Sequence, residues 1–294
     1  GIPGARYLGM QIAELSTLQS ILVIGSNLRK DHPLFAQRIR QAIRSGCLLS
    51  RLTDQDSDWA MPVHSTHLAA PTDWVQGLAE IAAAVAELQG VSAPHPATAT
   101  PAAMVTAKGL LRGERKAVLL GNAAAHHSQA SKLLELANWI AQQTAAKVGY
   151  LTEAANTVGA QLVNAVPSNN GLNAHQMLSG GLKAAILLNT EPEFDSALGK
   201  SAVEALQRAE MVVTLSPFKA NLACSDVLLP IAPFTETPGT FVNAEGAVQS
   251  FYAVVKPLGE ARPAWKVIRA IADVLGLPGF GFESSQDVFK HIDS

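Results

Sequence analysis

The stretch SILVIGSNLRKDHPLFAQRIRQAIRSGCLL, residues 20–49, decides the fold. Ser20 to Ile24 is a short β-branched apolar run that ends in Gly25-Ser26-Asn27. Pro33 then stands in the first turn of a helical pattern, with Leu34, Phe35, Ile39 and Ile43 at three-to-four spacing and Gly46 as its stop. A second apolar run opens at Cys47. Strand, glycine turn, helix and strand make a βαβ unit, and such a crossover leaves its two strands parallel.

The same punctuation recurs further along. KAVLLGN (116–122) ends in Gly121-Asn122, feeds a helical face of Leu133, Leu134, Ala137, Ile140 and Ala141, and leads to the strand-like KVGYL. KAAILLNTEP (183–192) ends its strand in Asn189-Thr190 and runs through the helix ALGKSAVEALQRA to the strands MVVTL and DVLLP. Between the first copy and the second lies VSAPHPATATPAAM, residues 91–104, which has no apolar period and predicts a linker or exposed loop. The expected architecture is α/β: two Rossmann-like three-layer units with mostly parallel sheets, divided as 1–104 and 105–294, plus a β-hairpin near the C-terminus. The C-terminal patterns, AWKVIRAIADVLG and the Ser284/Asp287 capping spacing, predict core and capping helices without a functional role.

Bulk composition narrows the functional classes. The 294 residues are 48% hydrophobic and 16% charged, which describes a chain with a large core. The net charge of −2 carries no clustered Lys/Arg and so no nucleic-acid or anionic-membrane footprint. Two cysteines, Cys47 and Cys224, are too few for an iron–sulfur cluster or a disulfide framework, which fits a reducing compartment. No window supplies the ~20 apolar residues of a membrane span. The beginning, GIPGARYLGM, predicts a piece of something longer rather than a secretory precursor.

Candidate sites follow from the strand ends, because ligands of doubly wound sheets sit outside the carboxyl ends of the strands. Gly25, Asn27, Asn189 and Thr190 occupy such positions. Asn169, in VPSNNGLNAHQ, adds an amide able to hydrogen-bond a heterocycle, although a capped loop explains the same composition. No GxGxxG or GxSxG occurs, so neither a tight dinucleotide turn nor a nucleophile elbow is expected. The tandem His126-His127 is poorly spaced to chelate one ion. His64 and His67, flanked by Pro62 and Pro71, predict a solvated loop. TETPGTFVNAEGAVQ, residues 235–249, predicts a hairpin: a Pro-Gly turn, a strand to Asn243, a turn at Ala244-Glu245-Gly246, and a returning strand. Thr240, Asn243 and Glu245 are its candidate binding residues; none provides a proton-transfer pair on its own.

SDVLLPIAPFTETPGTFVNAEGAVQ resembles the signature of the molybdopterin oxidoreductase superfamily (dimethyl-sulfoxide-reductase type), in which an apolar strand precedes a Glu…Gly-Thr…Asn-x-Glu-Gly-Arg-x-Gln hairpin. ILVIGSNLRKDHPLFAQRIRQAIRSG, VPSNNGLNAHQ, ILLNTEP and VVKPLGEARPAWKVIRAIADVLG match in the expected order. Within the superfamily, DSDWAMPVHSTHLAAPTDWVQGLAEIAAAVAE is similar to its counterpart in the G subunit of bacterial NADH:quinone oxidoreductase, respiratory complex I. The resemblance implies two departures from active members. CLLSRLTDQDSD stands where an acid-Pro-Arg signature binds cofactor, and Ala247 stands where the hairpin arginine is expected.

What the resemblance implies is a catalytically degenerate scaffold that supports the peripheral electron-transfer arm. It would bind no molybdopterin, with iron–sulfur clusters expected in an N-terminal part outside this stretch. The implied partners are that iron–sulfur domain and other peripheral-arm subunits, on the cytoplasmic side of the bacterial inner membrane, without nucleic acid or membrane insertion. On this expectation Gly25, Asn27, Asn169, Asn189, Thr190, Thr240, Asn243 and Glu245 are vestigial cleft residues. Two alternatives stand beside it: a fragment of an active, formate-dehydrogenase-like enzyme holding a pterin, and a free-standing nucleotide-binding module.

Overall fold

The computed structural model of the chain describes residues 5–292. It divides into two compact units, Gly1–Leu162 with Val242–Ala247, and Val163–Phe241 with Val248–Ser294. The boundary expected at residue 104 is corrected by strand pairing. The strand that follows the Pro/Ala-rich segment adds directly to the edge of the first βαβ unit, so both halves of unit 1 share one sheet.

Unit 1 begins with a 3₁₀ turn, Ile12–Thr17, followed by β1 (Ser20–Ile24), α1 (Leu28–Asp31), α2 (Pro33–Arg44), β2 (Leu48–Thr53) and β3 (Ser65–Leu68). It continues with α3 (Trp74–Gln89), α4 (Pro101–Leu110), β4 (Lys116–Leu120), α5 (Asn122–Ala125), α6 (Ala130–Thr144), β5 (Lys147–Tyr150) and α7 (Thr157–Leu162). The five strands are parallel in the order β3-β2-β1-β4-β5, with Ile21 paired to Leu49 on one side and Ala117 on the other. Alternation sends Leu22 and Ile24 into one buried cluster with α3, α4 and α6, and Ile21 and Val23 into another with α2. A parallel sheet covered on both faces reads as continuous apolar runs, which is why SILVI and KAVLL lack polar alternation.

Two expectations for loops are corrected here. The segment 91–104 ends in helix, because Pro101 takes the first helical position and the Thr100 hydroxyl accepts the Ala103 N–H at 3.2 Å. His67 lies in β3 rather than a solvated loop. Pro62 and Pro71 fall outside the four paired residues, and the His67 ring, 12% exposed, lies 3.4 Å from the Glu80 carboxylate.

Unit 2 contains α8 (Ala174–Ser179), β6 (Ala184–Leu188), α9 (Pro192–Asp195), α10 (Lys200–Gln207), β7 (Met211–Ser216) and β8 (Val227–Pro230). β9 (Gly239–Val242), β10 (Val248–Phe251), α11 (Ala264–Val274) and α12 (Ser285–Ile292) complete the chain. β6, β7 and β8 form a second parallel sheet, and β9 with β10 the expected antiparallel hairpin. The cluster of Leu187, Val212 and Leu206 covers one sheet face, while Ile186 and Leu188 on the other face stay exposed. No helix among the described residues is long and apolar enough to cross a membrane.

Candidate functional site

In unit 1 the strand order reverses direction of growth between β1 and β4, and a cavity of about 320 Å³ lies at the carboxyl ends of the strands there. Such a switch point is the general ligand position of open α/β sheets. Gly25, Ser26 and Asn27 from β1, Thr53 to Gln55 from β2, and Ala123 and His127 after β4 contribute to its walls.

The β1 end is closed by its own helix. The Asp31 carboxylate accepts the Asn27 N–H at 2.8 Å and the Ser26 hydroxyl at 3.3 Å. Asn27 is also spent: its side-chain oxygen caps the Lys30 N–H at 3.3 Å and its amide nitrogen donates to the Ser57 hydroxyl at 3.1 Å. Ser57 in turn is held by Arg51, a buried cation on β2 whose guanidinium donates to the Ser57 carbonyl at 2.7 Å and to the Thr66 hydroxyl at 3.0 Å. Arg51 also pairs with Asp56 and lies over the Trp59 ring at 4.9 Å. A buried guanidinium with these acceptors fixes Asp56, Ser57 and Trp59, and Ser57 lies on the cavity rim.

The same closure recurs in unit 2. The Asp195 carboxylate accepts the Glu191 N–H at 2.7 Å and the Thr190 hydroxyl at 3.1 Å. In both copies a hydroxyl residue ends the strand turn, the next residue gives its N–H, and an aspartate five positions after the hydroxyl turns back onto both. Hydroxyl-x-x-x-x-Asp was present in GSNLRKD and NTEPEFD, and aligning the strand ends would have found Asp31 and Asp195.

The remaining sequence candidates separate. Asn189 lies at the β6 end with φ +49, its N–H on the Leu215 carbonyl, and Thr190 beside it is engaged as described. Asn169 and Asn170 take positive φ in the turn before α8, whose capping box joins Asn173 and Gln176. Thr240 shares a hydrogen bond with Ser250 across the hairpin at 2.9 Å. The Asn243 side-chain oxygen accepts the N–H groups of Glu245 and Ala247, at 3.1 and 2.9 Å, and so builds the hairpin turn. The Glu245 carboxylate accepts the Ile12 N–H at 2.6 Å and caps the first 3₁₀ turn of unit 1. Of the four candidates in unit 1, Gly25 and Asn27 line the cavity; Asn243 and Glu245 are absent from its wall.

Other reactive side chains are similarly accounted for. His126 pairs with Glu153 at 2.8 Å, while His127 contacts the Pro71 carbonyl at 2.8 Å and stacks on Trp74. Burial pushes the Cys47 thiol up to about 12. Burial and the Asp226 charge raise Cys224 as well, so neither is a ready thiolate at neutral pH. Among the described residues no three or more His, Cys, Asp or Glu are grouped to hold a metal ion.

A parallel sheet of order 3-2-1-4-5, covered by helices on both faces, defines a doubly wound α/β protein. More particularly, residues 4–274 match the molybdopterin oxidoreductase family model, and the chain belongs to that family. It is 32% identical over 130 residues to the Bacillus subtilis (strain 168) protein named "Probable oxidoreductase YjgC", covering 42% of this chain and 13% of that protein. It is 50% identical over 59 residues to the Staphylococcus aureus (strain bovine RF122 / ET3-1) protein named "Putative formate dehydrogenase", covering 20% of this chain and 6% of that one. The matched stretches therefore span a small part of either relative. Among solved structures, acetylene hydratase from Pelobacter acetylenicus superposes with a TM-score of 0.66 at 14% identity, over 95% of this chain and 49% of that one. A chain of the formyltransferase/hydrolase complex from Methylorubrum extorquens superposes with a TM-score of 0.63 at 16% identity, over 93% of this chain and 79% of its own. At these identities the two structures share the fold.

Proposed function

We propose that this chain is a catalytically silent molybdopterin-oxidoreductase-type region of the G subunit of a bacterial NADH:quinone oxidoreductase, respiratory complex I. Its work is to pack against the iron–sulfur part of the same polypeptide and against other peripheral-arm subunits at the cytoplasmic face of the inner membrane. It holds no pterin of its own, and the clusters that carry electrons lie in the N-terminal iron–sulfur part.

One observation carries this reading. The polar residues of the family hairpin are consumed by the fold: Asn243 builds its turn, Glu245 caps the Ile12 amide at 2.6 Å, and Ala247 offers no cation. A bound anionic dinucleotide draws on charge-assisted contacts, each worth about 1.5–3 kcal/mol. Here the hairpin supplies no cation and its carboxylate points to backbone instead. On this reading the residues present do not fit that group.

The 50% identity with a protein named as a formate dehydrogenase favours a second reading, a piece of an active pterin-dependent oxidoreductase. Elemental analysis for molybdenum and tungsten, with mass spectrometry of released pterin, separates the two when run on the full protein from its native membrane. The scaffold reading expects iron, no stoichiometric molybdenum or tungsten, and no pterin. One pterin and one such metal per chain would establish the second reading in its place.

A further inference from the structure

We infer that Asp31 keeps anionic ligands out of the strand-end cavity by standing where an anion would be bound. The inference rests on the scaffold reading above and gives it a residue. The geometry is a donor pair with an acceptor already inside it. At the carboxyl end of β1 the Asn27 N–H and the Ser26 hydroxyl both donate to one carboxylate oxygen of Asp31, at 2.8 and 3.3 Å. Ser26, Asn27 and Asp31 all line the cavity, so the carboxylate is part of its wall. An incoming phosphate oxygen would have to displace a group of the same charge from the same donors, and like charges in juxtaposition repel.

The cavity has little to offset this. Lys30 is a cation on its wall, and Asp54 adds a further carboxylate beside Asp31. Gly25 does not open the turn to a ligand either. A Cβ there would meet the Ala124 amide nitrogen and the Trp74 ring, each at 2.7 Å, so the missing side chain is filled by the protein. The recurrence at the other sheet argues that the device belongs to the strand-end turns and is no accident of one loop. Asp195 holds the Glu191 N–H and Thr190 hydroxyl in the same arrangement.

The test uses inorganic pyrophosphate as the probe on the full chain, with titration calorimetry and amide NMR. Wild-type protein is expected to give no saturable heat at millimolar pyrophosphate and no shift of the Asn27 amide. Asp31→Asn, which removes the charge but keeps an acceptor, and Asp31→Ala, which frees both donors, each leave Lys30 in place and are expected to bind at least about tenfold more tightly than wild type. Asp195→Asn, in unit 2, is expected to leave the β1 turn unresponsive. Folded Asp31 variants that gain nothing would overturn the inference. So would a wild-type Asn27 amide that shifts and saturates with pyrophosphate, a measurement that stands even where the variants fail to fold. Failure here with no pterin in the native protein would leave the scaffold reading intact; pterin in the native protein would remove that reading by a separate assay.

Discussion

His32 bridges α1 and α2; the residue is 5% exposed and its ring stacks on Phe35 at 5.8 Å. Burial holds its pKa below the ordinary imidazole value, with the Asp31 and Glu153 charges pulling weakly the other way. The folded protein therefore keeps His32 neutral at a pH where the unfolded chain, titrating near about 6.5, takes up a proton. Because the unfolded state binds more protons, stability rises with pH across this window and is lost as pH falls below about 6.5 towards the depressed folded value. Denaturant unfolding of unit 1 between about pH 7.5 and 5 is expected to show this loss, and His32→Gln is expected to flatten the slope. A variant with the wild-type slope would remove the buried neutral histidine from the account. At the same scale, legibility was uneven. Gly25 and Asn27 stood out because a β-branched run must end in residues that tolerate turns. Asp31, taken alone in SNLRKD, gave no sign that its carboxylate folds back on the strand end; only its spacing from the strand-end hydroxyl, repeated at Asp195, carried the signal. That return depends on the dihedrals at Asn27 and on α1, which periodicity does not report.

Among the elements, the hairpin was the most readable and its use the least. Pro238-Gly239 and the Asn243-to-Gly246 turn, where Gly246 takes φ +90, announced two strands and a turn. Nothing local announced that the tip would dock on residues 8–12, more than two hundred positions earlier. It does so through two hydrogen bonds, the Leu8 N–H to the Ala244 carbonyl at 2.7 Å and the Ile12 N–H to the Glu245 carboxylate at 2.6 Å. Removing a charged acceptor from a half-buried amide costs about 1–3 kcal/mol. Glu245→Ala is expected to lower the stability of unit 1 by that order and to speed hydrogen exchange at the Ile12 amide, while β6 to β8 keep their protection. Unchanged exchange at Ile12 would show that the capping bond contributes nothing. This outcome also bears on function, because a binding residue would change ligand affinity and leave the 3₁₀ turn undisturbed.

The whole molecule was legible as α/β and as parallel, since three strand-turn-helix copies admit little else, but not in its division. Which strand lies beside which is a tertiary fact: β4 pairs with β1 across an intervening stretch of almost a hundred residues, and the Pro-rich segment that looked like a boundary runs over the surface of one unit. The consequence is an imbalance of cores. Unit 1 buries large apolar clusters on both faces of its sheet, whereas the buried cluster on the unit 2 sheet is Leu187, Leu206 and Val212 on one face. Apolar burial of about 25 cal/mol per Å² is the main favourable term in folding, so the two units differ widely in what holds them. Opening free energies within a native protein follow such differences. Native-state hydrogen exchange is expected to show β6, β7 and β8 opening at lower free energy than β1 and β4. Limited proteolysis is expected to cut first between residues 163 and 241 or after residue 248, leaving a resistant core from unit 1. Equal protection of both sheets, lost in one cooperative step, would mean that contacts beyond those of unit 2's own core stabilise its sheet.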